Sequence, residues 1–232
     1  MTIGITDCSG FDVFTTPSKY FNSVSSNVAT TVTVVAAGRN GSSALDLHGE
    51  QEGAIACSAS KTLAGPLTTL WIGFALKLTA FPSTLSKITF LELSDAGLAH
   101  LNFTLLSNGK IQVSRGDGTV LGTTVASILV NTFYHIEIKA VIDNSAGIVE
   151  IRINETPDAG VTLSGVDTQN GGVAQISEVT FKLTHDGYGY GNDVDILFDD
   201  LIVRDDEWGG DCAVNEALPG AVGNPCPQRH RG

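Results

Sequence analysis

The sequence predicts an all-β protein, built as a two-sheet antiparallel β-sandwich. Three observations carry this prediction. Apolar and polar residues alternate one by one through most of the chain, which is the two-residue period of a strand with one buried face. Gly, Asn, Asp and Ser interrupt that alternation at short intervals, as turns between strands do. Charged residues make up only 16% of the 232, Gly numbers 26, and no stretch carries the apolar spacing of an amphipathic helix. A chain of this length can bury the core of one large sandwich.

The elements follow in order. Residues 30–38 (TTVTVVAAG), 43–49 (SALDLHG) and 53–60 (GAIACSAS) read as short strands, and 68–79 (TTLWIGFALKLT) and 87–95 (KITFLELSD) continue the pattern. Residues 99–118 read as two strands joined at Ser107-Asn108-Gly109, because Asn and Gly both tolerate the positive φ of a tight hairpin turn. The clearest unit is 132–154. Tyr134, Ile136, Ile138, Ala140 and Ile142 share one face of its first strand, and His135, Glu137 and Lys139 share the other. In its second strand Val149, Ile151 and Ile153 alternate with Glu150, Arg152 and Asn154, so a hairpin with one buried and one solvated face is expected. Residues 173–184 and 192–203 supply the last strands, about a dozen in all. The sandwich is expected to occupy 1–208. Past Trp208 the alternation stops, and 209–232, rich in Gly and Pro, is expected to be an irregular C-terminal arm rather than a second domain.

Charge excludes one class of partner. Thirteen basic residues against 25 acidic give a net charge of −12, and no Lys/Arg cluster offsets it, so no nucleic acid is expected to bind. No segment approaches the roughly 18 apolar residues of a membrane-spanning helix, so no membrane insertion is expected. The start, MTIGITDCSGFDVF, has neither the basic nor the apolar region of a secretory signal, which points to synthesis in a cytoplasm.

The most acidic stretch is DILFDDLIVRDDE, Asp195–Glu207. Val194, Ile196 and Phe198 fall on one face, with Asp193, Asp195 and Leu197 on the other. Strict alternation would carry Asp200 into the core and turn Leu201 and Val203 outward. A β-bulge at Asp199-Asp200 restores the phase, so that Leu201 and Val203 rejoin the inner face and the two carboxylates meet water or backbone amides at the kink.

With that strand read, the segments GSSALDLHG, LWIGFALKLT, FYHIEIKAVIDNSAGIVEIRIN and ILFDDLIVRD stand in the order of a concanavalin A-like, laminin-G-type jelly roll, which the chain resembles over about residues 10–220. More narrowly it is similar to tailed-bacteriophage virion proteins that carry this sandwich. They open on Gly-Phe-Asp, here Gly10-Phe11-Asp12, and close on a pattern met here as Phe198–Leu201, Val203, Asp205, Gly210-Asp211, Val214 and Leu218-Pro219. The resemblance implies a non-enzymatic virion structural protein: a capsid decoration, neck collar or tail-appendage component. Its partners would be other virion proteins or further copies of itself, and its location the virion. The alternative from another class is a carbohydrate-binding module that recognises host glycan.

Catalytic chemistry finds little support in the residues. Glycoside hydrolysis needs two carboxylates facing each other across a bond, whereas Glu92 and Asp95 are three apart and fall on opposite faces of a strand. Asp193 and Asp195 share a face at about 7 Å, without a third acid or an accompanying aromatic. The histidines His48, His100, His135, His185 and His230 are scattered, and no G-x-S-x-G occurs. No catalytic residue and no cofactor are therefore expected. The one metal candidate is calcium held by Asp186, Asn192, Asp193 and Asp195, hard oxygen ligands around a Gly-rich loop; a solvated turn is the simpler account. Tyr188 and Tyr190 on that loop, with Trp208, are the candidates for contact with a partner or a glycan, since aromatic rings bury large area at low entropic cost. Cys212 and Cys226 in the arm are disulfide candidates, within the chain or between chains, and Cys8 and Cys57 complete the set; Cys57 also reads as a small buried strand residue.

Overall fold

In the computed structural model, which describes residues 16–50, 56–81, 87–185 and 193–205, the alternating segments become fourteen strands. They are β1 (Ser23–Ser25), β2 (Thr30–Val35), β3 (Ala44–Gly49), β4 (Ala56–Leu67), β5 (Thr69–Leu78), β6 (Lys87–Asp95) and β7 (Leu98–Leu106). There follow β8 (Ile111–Arg115), β9 (Val120–Thr123), β10 (Tyr134–Val141), β11 (Gly147–Ile153), β12 (Thr156–Val166), β13 (Ile176–His185) and β14 (Val194–Arg204). Among the described residues the only helical pieces are two short 3-10 turns, Pro17–Lys19 and Arg39–Gly41.

The strands form two seven-stranded antiparallel sheets. The first has the order β1-β4-β13-β6-β7-β8-β9, the second β12-β11-β10-β5-β14-β3-β2. The chain crosses between sheets at Thr68, meanders through β6–β9 in one and β10–β12 in the other, then returns to place β13 and β14 in sheet interiors. This jelly-roll winding puts the two last strands, far in sequence from their neighbours, at the centre of the core. Phe181 of β13 and Phe198 of β14 meet with ring centroids 4.7 Å apart, and Phe74 of β5 packs edge-on against both at 5.7 and 5.6 Å. All three rings are at most 1% exposed. Truncating such a ring typically costs about 3–5 kcal/mol, so this cluster is a main tie between the sheets.

The β14 bulge is present where expected. The register against β5 shifts between Asp199 and Ile202, Asp200 adopts a left-handed φ of 51°, and Leu201 and Val203 are 3% and 5% exposed in the core beside Ile196 and Phe198. The two carboxylates divide their roles. Asp199 does not face water: it is fully buried and accepts from the Arg39 amide at 2.8 Å, from the Ser42 hydroxyl and, through its other oxygen, from the Asp200 amide at 2.8 Å. Asp200 pairs with the Arg39 guanidinium at 2.7 Å. Together they dock the 38–42 loop onto the outer face of β14.

The hairpin of β10 and β11 forms as expected, with Ile138 facing Ile151 and Lys139 facing Glu150, but its outer face is not the solvated one expected. His135 and Glu137 are 1% and 2% exposed, and of the three outward residues only Lys139 is half-buried. The reason lies on β5, where their cross-strand partners are Ala75 and Gly73. Small residues there let both side chains lie over the strand. A Cβ added at Gly73 would meet His135 Nε2 at 3.4 Å, Glu137 Cγ at 3.8 Å and Ile202 Cβ at 3.9 Å.

Other differences are local. At 107–109 only Gly109 has positive φ (77°); its amide donates to Leu106 O at 3.0 Å and the Leu106 amide to Lys110 O at 2.9 Å. That is a type I turn followed by a left-handed glycine, the three-residue hairpin loop. Strands β1, β9 and β12 were not expected. All three are edge strands, and β12 begins with the Thr156-Pro157 step that an edge tolerates. The edges β9 and β12 close on each other through buried Asp158, which accepts from the amides of Val125 and Gly160 at 2.8 Å and of Ala126 at 2.9 Å. The expected arm, 209–232, lies outside the described residues.

Candidate functional site

The outer face of the second sheet carries two chemically different halves. At one end β3 and β14 run side by side, and their outward residues form two rows: Thr31, His48 and Asp195, then Thr33, Asp46, Leu197 and Lys77. His48 Nδ1–H donates to Asp195 Oδ1 at 2.6 Å, and the Asp195 amide donates to Thr79 Oγ1 at 2.8 Å. This carboxylate bond raises the His48 pKa above its ordinary value. Asp46 Oδ1 is buried and meets no hydrogen-bond donor. Burial first, and the nearby Asp195 carboxylate second, push the Asp46 pKa up to about 6, against the opposing pull of His48. The cluster holds a proton at mildly acidic pH.

At the other end β5 begins and β14 finishes. Leu70, Ile72 and Phe74 are at most 2% exposed, so the two-residue period turns Trp71 out of the core. Its cross-strand partners are both cations, Arg204 on β14 and Lys139 on β10. The Lys139 Nζ lies 5.1 Å from the indole centroid, within cation–π range. Next in the row comes Glu150, which accepts from Arg152 Nε at 3.0 Å. Trp71 and Lys77 are six residues apart on one strand, about 20 Å, so the two halves are separate places on one face. Beside the indole end, a shallow solvent-open recess lies between the sheets, lined by Leu63, Ala64, Gly65 and Leu67 of β4 and by Val203, Arg204 and Asp205. The half-buried indole offers a flat apolar surface, and the residues around it offer charged donors and acceptors.

Tyr188, Tyr190, Trp208, Cys8, Cys212, Cys226, Asp186 and Asn192 lie outside the described residues. Of the calcium candidates within them, Asp193 is exposed just ahead of β14, and Asp195 turns to His48 and Thr79. Among the described residues no group of three His, Cys, Asp or Glu side chains is placed to hold a metal ion. Cys57 is a free thiol, 3% exposed in the core, with burial pushing its pKa up to about 11, so the reading as a buried strand residue replaces its disulfide candidacy. Glu92 pairs with Lys182 at 2.6 Å and Asp95 with Gln175 at 3.0 Å, on separate partners. Trp71, Lys139, Arg204 and the Asp46–His48–Asp195 group were missed. Period-two counting along 68–79 is the signal that could have turned Trp71 outward; which residues flank it depends on strand order.

No protein-family model matches the chain, and no curated protein matches it in sequence. Solved structures do match. "Cellulose induced protein, Cip1" aligns with a TM-score of 0.60 at 19% identity, over 81% of this chain and 92% of its own. A botulinum neurotoxin serotype C1 binding domain aligns with a TM-score of 0.55 at 13% identity, over 81% of this chain and 45% of its own. A second neurotoxin structure, described by the dependence of type C toxin entry on two ganglioside molecules, aligns at 0.53 and 13%, over 81% and 44%. The chain thus spans less than half the length of the neurotoxin structures it matches. At these identities the likeness is one of fold: the protein is a concanavalin A-like jelly-roll sandwich.

Proposed function

We propose that this protein is a non-catalytic glycan-binding module, and that Trp71 on the outer face of the second sheet is its contact platform. The observation that carries the reading is the placement of an outward indole on a rigid central strand, beside side chains able to bond to hydroxyls. A pyranose ring presents an apolar C–H face and a polar rim, and an aromatic plane bordered by charged donors and acceptors matches both. The sandwich is shared with a neurotoxin whose cell entry depends on ganglioside, which supports the same class of ligand. The resemblance to virion proteins is compatible with this reading and would place the module on a particle surface, where a glycan receptor is met.

The test is a glycan array probed with the purified protein and with Trp71→Ala. Binding by the parent that is lost in a folded Trp71→Ala is the expected result. Absence of any bound glycan, or binding indifferent to Trp71, overturns the proposal. Release of reducing ends from a bound glycan would instead show an enzyme, with Asp46 and Asp195 the first carboxylates to replace.

A further inference from the structure

Resting on that reading, we infer that the Trp71 site selects anionic saccharides, those bearing a carboxylate or a sulfate, over neutral ones. The sequence makes cations scarce, with 13 basic residues against 25 acidic. Yet both direct cross-strand neighbours of the outward indole are basic, Lys139 on one side and Arg204 on the other. No carboxylate occupies either position. The nearest acid in the row, Glu150, is one strand further out and engaged by Arg152. Asp205 follows Arg204 just past the end of β14 and lines, with it, the recess between the sheets. Glu137 also lies on this face, two residues before Lys139 on β10, but it is buried and paired across the strands with Arg152 on β11. Asp46 and Asp195 sit at the far end of the face, about 20 Å away.

A sugar ring stacked on Trp71 would place its rim substituents beside the Lys139 ammonium, with Arg204 on the other flank of the indole. The ammonium of Lys139 is held by the face of the indole. That contact satisfies its charge only in part, leaving its three donors available to an anionic group. A carboxylate or sulfate at the ring edge would draw the ammonium off the indole and leave the ring face to the sugar. A neutral hydroxyl gives weaker compensation for the lost cation–π contact, which is the physical origin of the selectivity.

The experiment uses the whole chain on an array of neutral, uronate- or sialate-bearing and sulfated glycans, followed by titration calorimetry on the strongest ligand and its neutral counterpart. The expected result is a preference for the anionic member that falls by about tenfold or more in Lys139→Met, which keeps the aliphatic stem over the ring. Lys139→Arg should restore it, and the preference should shrink with added salt. The carboxylate and sulfate arms separate the two sources of charge. Equal binding of neutral and anionic partners, or a preference unmoved in Lys139→Met, overturns the charge inference while leaving glycan binding at Trp71 intact. Loss of all binding in the parent protein overturns the function on which it rests.

Discussion

Inserting one alanine between Asp200 and Leu201 should be among the most damaging single-residue changes outside the aromatic core, though Asp200 itself is near the surface. Asp200, with a left-handed φ of 51°, is already the one extra residue that β14 carries against β5 between Asp199 and Ile202. It sets the phase in which Leu201 and Val203 point inward, 3% and 5% exposed. A second extra residue reverses that phase and turns both outward. Each apolar side chain of this size contributes about 1.5–3 kcal/mol by burial, so about 3–6 kcal/mol is at stake. Ile202 would exchange its present covered place for the core with little net change, while Arg204 would be driven inward and add to the cost. Against a typical total stability of about 5–15 kcal/mol, the insertion leaves the fold marginal or lost. Deleting Asp200 is the control: it removes the bulge, Leu201 then follows Asp199 into the core, and the phase is kept. Urea unfolding followed by tryptophan fluorescence reads the change. Asp200→Val provides a graded version: a β-branched residue at positive φ costs about 1–2 kcal/mol, with a smaller loss from the Arg39 pair. Asp200→Gly relieves the backbone and should lie within about 1 kcal/mol of the parent. A reporter Val203→Cys should resist thiol reagents in the parent and in the Asp200 deletion, and react in the insertion. An insertion costing under about 1 kcal/mol, or one in which the Val203→Cys thiol stays protected, would refute the phase argument.

Two further outcomes follow from single sites. The folded protein keeps a proton on Asp46 up to about pH 6, whereas the unfolded chain releases it near the ordinary carboxyl value of 3.8, so the native state binds more protons in that interval and stability falls as pH rises through it. Asp46→Asn, which cannot ionise, should raise the urea midpoint relative to the parent at pH 7.5 and leave it nearly unchanged at pH 4; equal shifts at both pH values would contradict the buried-charge account. Gly160→Ala would place a Cβ 2.1 Å from the Thr123 carbonyl oxygen, forcing edges β9 and β12 apart. Calorimetry should show a melting point lower by several degrees, as expected for an overpacking cost of about 1–3 kcal/mol, and an unchanged melting point would mean that the edges do not close there.

The sequence alone determined the class of fold and much of its detail, because a two-residue period is a local property. Counting by twos found β2, β3, β5, β6 and both strands of the β10–β11 hairpin, and the phase break in DILFDDLIV located a bulge before any neighbour was known. It failed at β1, β9 and β12, where an edge strand needs only one partner and tolerates Pro157 and exposed polar residues. What the tertiary structure decided was adjacency. His135 and Glu137 carry the polar pattern of a solvated face, and only their pairing opposite Ala75 and Gly73 explains why they are buried. Asp46, His48 and Asp195 are separated by some 150 positions and meet because β14 returns between β3 and β5. The same return sets Arg204 beside Trp71, with Lys139 arriving from the other side. The order of strands in a sheet is fixed by how two large faces bury each other across the whole chain, and so a site made of cross-strand neighbours is written in that order rather than in any one segment.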